Sequence, residues 1–356
     1  MPSEEEKSEI IEAALDRIRA RAEKYFPDLG GSKSSGELVA WLTPEKLRSS
    51  NPVYVIEIGR AKGHEVRRAV AKYVPVSDCP AGPDVEFKIL SELSKSREFK
   101  KLGFAVPRPL DSFDDLRVLV TEMVDGEKLP ALLARENGRL ASREKINALM
   151  ETMTRCGAGL RLIHGRGVVK TAPLPPDLSG RLEKTSSYLE EKGLFNKGEI
   201  MEIVGVAIAK IGVRPLTYVR QHGDYNIGNL LMADGKIVIL DFAYTREDLP
   251  HNDVGRFVMA LETFLPLKKN PLFDFGKVPA LCERFLEGYY GGADRSPLDQ
   301  LLVSLYKLRM TLIHFKARHE SYSRRKKSAH LLVMNRLYRK RALDTLAEIR
   351  KYTSLI

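Results

Sequence analysis

Residues 222 to 242 read His-Gly-Asp-Tyr-Asn-Ile-Gly-Asn-Leu-Leu-Met-Ala-Asp-Gly-Lys-Ile-Val-Ile-Leu-Asp-Phe, and this stretch constrains the fold more than any other. Two short runs, Asn229 to Met232 and Ile237 to Leu240, flank Ala233-Asp234-Gly235-Lys236, and Asp-Gly between such runs predicts a tight β-hairpin. A hairpin folds its ends back to one place. Asp224 and Asn229 on one side and Asp241 on the other are therefore expected to converge.

Three oxygen-bearing groups brought together suit a hard cation and a phosphorylated nucleotide. Mg²⁺ takes oxygen ligands and usually only one or two carboxylates, completing its shell with phosphate oxygens and water. Asp241 and the Asn229 amide oxygen fit that demand, and Asp224 can orient an acceptor hydroxyl and take its proton. An ordinary hairpin with solvated turn formers is the plainer alternative. The complete spacing, closed by an apolar-Asp-Phe, argues against it.

At these residues the chain resembles the aminoglycoside phosphotransferase and choline kinase-like family, whose motif is H-G-D-x-x-x-x-N followed by apolar-Asp-aromatic. The resemblance implies an α+β, two-lobed protein kinase-like fold, with a small antiparallel sheet and one main helix in the N-lobe and a large, mostly helical C-lobe. It implies Asp224 as catalytic base, Asn229 and Asp241 as metal ligands, and ATP (GTP being the alternative) with Mg²⁺ as cofactors. Asp253-Val254-Gly255-Arg256-Phe257 is similar to the family's D-x-x-R-F stretch, so Asp253 is expected to brace the catalytic loop. His164, in Leu-Arg-Leu-Ile-His-Gly-Arg-Gly, resembles a packed helix-end residue rather than a catalyst.

Upstream, Val53 to Ile58 and Glu65 to Val74 read as extended runs around a turn from Gly59 to His64, a hairpin able to cover phosphates through Gly59 and Gly63. Alternation puts Val70, Lys72 and Val74 on one strand face, so a lysine lies between apolar residues and needs an anionic partner. Val70-Ala71-Lys72 resembles the A-x-K strand of kinases, where lysine holds nucleotide phosphates and pairs with a helix glutamate. Glu86 is the expected partner and Glu92 the competitor, in a helix whose stripe is Phe87, Leu90 and Leu93. Residues 117 to 126 form an apolar strand that enters a turn. The resemblance makes it the hinge, with the Glu122 carbonyl and Val124 amide reading adenine.

The expected organisation is an N-terminal helix and linker over 1–35, a nucleotide-binding N-lobe over 36–123, and a helical C-lobe over 124–356. Ser3 and Glu6 can cap the first helix, whose Ile11, Leu15, Ile18, Ala22 and Tyr25 make one apolar stripe. A Pro-rich stretch, Thr171 to Pro176, leads into a largely helical insertion up to Pro215. Such an insertion, common in the resembling family, favours a small-molecule or glycan acceptor over a protein.

Composition bears mainly on the acceptor and the compartment. Of 58 Lys and Arg and 47 Asp and Glu, residues 307–351 carry 14 basic and 3 acidic, leaving 44 of each elsewhere, so this segment accounts for the whole net charge of +11. The plainer expectation is a solvated basic surface on a terminal helix that packs through Met334, Tyr338, Ala342, Leu346 and Ile349. The functional expectation is that the segment, with Arg324-Arg325-Lys326-Lys327, attracts an anionic acceptor or a membrane surface. A sugar, sugar phosphate or glycan is then favoured over a polycationic aminoglycoside. No specific nucleic-acid module is seen. No run reaches the length of a membrane span, the start is acidic, and Cys79, Cys156 and Cys282 are scattered, so a cytoplasmic enzyme is expected. A protein kinase, an antibiotic kinase and a catalytically silent nucleotide-binding scaffold are the alternatives.

Overall fold

A computed structural model describes residues 4–30, 38–46, 52–60, 65–76, 79, 82–266, 270–324 and 328–356. The chain forms two compact units. The first is Met1–Glu127 with Leu231–Tyr244, and the second is Lys128–Leu230 with Thr245–Ile356. The first unit thus extends past Met123 to Glu127 and takes in the hairpin, which the sequence-based division leaves in the C-lobe.

The first unit is built on a five-stranded antiparallel sheet. Its strands run Leu38–Lys46, Val53–Arg60, Val66–Tyr73, Val118–Glu122 and Pro109–Phe113 in spatial order. Ile56, Ile58, Ala69, Ala71, Val118 and Val120 are buried in one core with the apolar stripe of the N-terminal helices, Ile11, Leu15, Ile18, Ala22 and Tyr25. The N-terminal helix is therefore part of the core of this unit rather than an appendage to it. Ala69 and Ala71 point into this core, so alternation sends Val70 and Lys72 to the opposite face.

That opposite face meets the helix Pro83–Lys95, which starts with Pro83 directly after Gly82 (φ 91°). Its buried residues are Pro83, Glu86, Leu90 and Leu93. The stripe expected through Phe87 is rotated by one position: Phe87 is half-buried, and Glu86 itself lies on the core line at i, i+4, i+7. Glu92 is exposed.

The hairpin forms as expected. Strands Leu230–Ala233 and Lys236–Ile239 are joined by Asp234 and Gly235, both with positive φ (48° and 72°), the requirement of a type I′ turn. Lys236–Ile239 also pairs in parallel with Phe104–Ala105, so the hairpin belongs to a second sheet, separate from the five-stranded one.

The second unit is largely helical. Its long helix Arg143–His164 is capped by the Ser142 hydroxyl, which accepts from the Lys145 backbone N–H at 3.4 Å. This helix lies tightly against Val278–Tyr290 because glycine faces backbone on each side. A Cβ at Gly157 would collide with the Phe285 carbonyl oxygen, and one at Gly288 with that of Thr154. A small antiparallel sheet orders Arg246–Asp248, Leu216–Gln221 and Val168–Ala172. The last of these strands leads into the insertion, which contributes the helices Asp177–Glu191 and Lys197–Ile211.

Helices Pro297–Arg324 and Ser328–Thr353 close the chain, burying Tyr338, Ala342, Leu346 and Ile349 with Leu301, Leu305, Leu308 and Phe315. The expected stripe packs as read, with Met334 partly buried at its edge. Among the described residues no helix is long and apolar enough to cross a membrane. The three cysteines are buried.

Candidate active site

In the first unit, three of the expected residues meet. The Lys72 ammonium donates to Glu86 Oε2 at 2.8 Å, to Glu86 Oε1 at 3.1 Å and to Asp241 Oδ1 at 2.7 Å. Glu86 is almost fully buried, with 3% of its side chain exposed, whereas Asp241 keeps 31%. The difference matters chemically. Glu86 can serve only the protein, while Asp241 retains a face for a ligand. Burial alone lowers the lysine pKa, but Coulomb attraction to Glu86 and Asp241 with their hydrogen bonds outweighs it, and the net shift is upward. Lys72 is therefore held as a cation.

Backbone geometry aims Asp241. The residue has φ 65°, the left-handed region that side chains with a Cβ rarely adopt. Such a conformation costs on the order of 1–3 kcal/mol and persists where its surroundings hold it. Here Glu86 Oε1 accepts from the backbone N–H of Phe242 at 2.9 Å, and the Phe242 ring is buried. Glu86 thus holds both the lysine and the chain beside the aspartate.

The second unit assembles the residues around Asp224. Its Oδ2 accepts from the Asn229 amide nitrogen at 2.9 Å, and its Oδ1 accepts from Arg256 Nη1 at 2.8 Å. The same Asn229 nitrogen reaches the Asp224 carbonyl at 3.0 Å. With its nitrogen committed to Asp224, the Asn229 amide oxygen is left as the end able to ligate a cation.

Beneath this loop lies a buried carboxylate. Asp253 is fully buried and accepts from the backbone N–H of His222 at 2.8 Å and of Gly223 at 3.0 Å. His164 Nε2 stands 3.2 Å from the same carboxylate, and its Nδ1 is 2.8 Å from the Tyr289 hydroxyl. Gly223 has φ 83°, so the loop needs glycine there. Burial pushes the Asp253 pKa up, but the His164 hydrogen bond and the charges of His164, His222 and Arg256 overcome it and hold the carboxyl below its ordinary value. Tyr225 adds an apolar footing: its hydroxyl donates to the Cys156 carbonyl at 2.7 Å, and its ring meets Phe257, which stacks on Phe285.

Sequence reading missed the contact of Arg256 with Asp224. The signal was present: Asp253 and Arg256 are i, i+3 on one helix face, so a helix that turns Asp253 under the loop brings Arg256 beside it. One other expected residue is placed differently. Gly59 is a strand residue, paired with Val66, rather than part of a turn, because the strand continues to Arg60. A Cβ there would come within 2.9 Å of the Glu65 carbonyl oxygen, so the position demands glycine for packing. Gly63, most of the expected phosphate turn, Ser3 of the expected cap and the Arg325 to Lys327 run lie outside the described residues. Glu122 ends its strand paired with Ala69, and its backbone N–H donates to the Arg108 carbonyl at 2.8 Å. Val124 follows in the irregular stretch after that strand and is half-buried.

The basic segment is not a uniform cationic surface. Lys307 is buried and paired with Glu262 and Glu348, and Arg309 is buried as well. Among the described residues, Arg318, Arg336, Arg339, Lys340, Arg350 and Lys351 are the exposed members.

A two-part α+β architecture, with antiparallel sheets in its N-terminal region and helices dominating the rest, defines a protein kinase-like fold. The model of the phosphotransferase enzyme family matches residues 48–301, and the chain belongs to that family. It is a phosphotransferase of the kinase type, acting on a hydroxyl acceptor. Among solved structures, a glucosamine kinase has 16% identity over 92% of this chain and 86% of its own, with a TM-score of 0.55. The same TM-score and identity are found for a glucosamine kinase in complex with glucosamine, ADP and inorganic phosphate, over 90% of this chain and 84% of that one. A putative aminoglycoside phosphotransferase from Ralstonia eutropha JMP134 has 13% identity over 96% of this chain and 98% of its own, with a TM-score of 0.52. At these identities the likeness is one of fold. No curated protein matches the chain.

Proposed function

We propose that the chain moves the γ-phosphate of ATP, with Mg²⁺, to a hydroxyl of a small sugar-like or glycan acceptor that carries negative charge. The observation that supports this most is the Lys72, Glu86 and Asp241 constellation, a fixed ammonium beside a half-exposed carboxylate. Lys72 is the group for the nucleotide phosphates and Glu86 its anchor. Asp241 and the Asn229 amide oxygen are the Mg²⁺ ligands, a set that matches a cation preferring few protein carboxylates. When bound, Mg²⁺ neutralises charge on the transferring phosphoryl group.

Asp224 is the base that takes the acceptor proton. Asn229 and Arg256 fix its carboxylate by one hydrogen bond to each oxygen, so little reorientation is needed when a hydroxyl arrives. Arg256 also bears on the acceptor. A guanidinium beside the base attracts a carboxylate or phosphate and repels an ammonium. His314 strengthens the contrast: burial, with the charges of Arg256 and Arg318, lowers its pKa to about 4, so it is neutral near pH 7 in a cationic surrounding. This favours sugar acids and sugar phosphates over aminoglycosides. Adenine recognition is assigned to the Glu122 carbonyl and Val124 amide, and GTP is the alternative donor.

A library of sugars, sugar acids, sugar phosphates, glycans, aminoglycosides and proteins, incubated with Mg²⁺ and ATP or GTP, tests the reading by mass spectrometry. Gain of one phosphoryl group by an anionic sugar or glycan is expected. Transfer confined to aminoglycosides or to proteins overturns the acceptor assignment.

A further inference from the structure

An arginine-rich cavity lies in the helical unit, apart from the residues assigned to phosphoryl transfer. A cavity of about 210 Å³ is lined by residues that include Arg181, Arg246, Arg309, Tyr218, Tyr306 and Asp248. None of the candidate catalytic groups lines it. Arg309 is its unusual member. Only 8% of this residue is exposed, yet among the described residues no carboxylate lies within ion-pair distance of it, and its Nε is buried without a hydrogen-bond partner. Among the described residues its one oxygen partner is the neutral Asn252 amide, 3.3 Å from Nη1.

A buried, unpaired guanidinium is costly, and proteins seldom keep one without a compensating anion. The carboxylates on the wall do not supply it. Asp248 accepts from the Tyr306 hydroxyl at 3.2 Å, the Leu249 backbone N–H at 2.8 Å and the Asn252 amide at 3.2 Å, and stands 3.6 Å from Arg246. Asp177 pairs with Arg181, and Glu247 is exposed. Burial pushes the Arg309 pKa down, the charges of Arg181 and Arg246 push it further the same way, and Tyr306 and Asp248 offset only part of the shift. Three guanidinium groups therefore bear on one cavity, and among the described residues Arg181 and Arg246 have carboxylate partners while Arg309 has none.

We propose that Arg309, Arg246 and Arg181 bind a phosphate-type oxyanion, either inorganic phosphate or the phosphoryl group of a small metabolite. Guanidinium groups match the geometry of such oxyanions, and Tyr218 and Tyr306 give the cavity aromatic walls. The site is wired to the catalytic loop. Asn252, which accepts from Arg309, donates to Gln221 Oε1 at 3.2 Å and directly precedes Asp253, the brace of His222 and Gly223. The strand carrying Arg246 pairs with the strand that runs into that loop, Arg246 opposite Gln221.

Thermal unfolding and calorimetric titration of the full chain with inorganic phosphate, glucose 6-phosphate and sulfate, at ionic strength held constant with chloride, test the proposal. A concentration-dependent rise in Tm and saturable binding are expected. A stronger response to the ester than to free phosphate assigns the site to a phosphorylated metabolite, and the reverse assigns it to inorganic phosphate. Arg309→Met should fold with an unchanged or higher Tm in the absence of phosphate, since it removes an uncompensated buried charge, and should weaken binding more than about tenfold. Arg246→Gln, at an exposed residue, should weaken binding while leaving the fold intact, and carries the test if Arg309→Met misfolds. Lys72→Met should keep the response. Absence of any phosphate response, its survival at full strength in both arginine variants, or its loss in Lys72→Met overturns the proposal.

Discussion

Glu86 and Phe242 are joined by a 2.9 Å hydrogen bond from the Phe242 backbone N–H to the Glu86 carboxylate, the same carboxylate that holds Lys72. The chain directly after Asp241 is thus tied to the helix that positions the lysine. Disturbing the glutamate is felt at two groups at once.

Glu86→Gln keeps the size of the side chain but removes its charge. Lys72 loses a buried partner and the Asp241 backbone loses part of its restraint. Turnover is expected to fall by about 100-fold, with a destabilisation of about 3 kcal/mol. Steady-state kinetics and denaturant unfolding measure the two effects. A variant with normal turnover would remove Glu86 from the proposed machinery.

Asp224→Asn preserves the shape of the residue beside Asn229 and Arg256 but abolishes its basicity. We expect turnover to drop by about 100-fold or more, while calorimetry shows nucleotide affinity within a few fold of the parent. A parallel loss of nucleotide affinity would assign Asp224 to binding instead.

Asp241→Ala separates metal binding from the base. The variant should lose the Mg²⁺-dependent part of ATP binding in calorimetric titration and retain only the weak metal-free component. Unchanged Mg-ATP affinity would contradict its role as a ligand.

Asp253 makes the loop acid-sensitive. Its pKa is depressed in the folded state, so its contribution is fully present above the ordinary carboxylate pKa of about 4 and is lost as pH falls through the lower, folded value. Unfolding free energy should therefore decline below about pH 4 more steeply in the parent than in Asp253→Asn. The variant itself should be less stable by about 3 kcal/mol at neutral pH, since three donors lose a charged acceptor. Identical pH profiles would show that Asp253 is not the titrating brace.

Gly157→Ala probes packing without touching a charged group. The added methyl meets backbone of the Val278–Tyr290 helix, which cannot swing aside as a side chain can. A loss of about 2–3 kcal/mol is expected from chemical denaturation. Gly205→Ala, with no neighbour within 4 Å of its Cβ position, is the control and should be neutral or slightly stabilising.

Local patterns were legible in the residues alone. The Asp234-Gly235 turn, the 3.6-residue stripes of the first and last helices and the kinase-like spacing from Asp224 to Asp241 depend on neighbours in the chain, and each is visible without coordinates. Alternation put Lys72 between Val70 and Val74 and so showed that it needed an anion. It could not show that Glu86 would serve the Phe242 backbone as well. That bond joins residues 156 positions apart, and its existence depends on how a helix rests on a sheet.

Charge was the least legible property. Counting placed all the excess in residues 307–351, but a count cannot distinguish a lysine neutralised by Glu262 and Glu348 from an exposed one, or from Arg309 facing other arginines in a cavity. Local sequence determined the elements and the chemical alphabet of the site, because backbone propensity and periodicity are short-range. Tertiary structure alone decided which charges are compensated, because electrostatic energy depends on distance and burial across the whole fold.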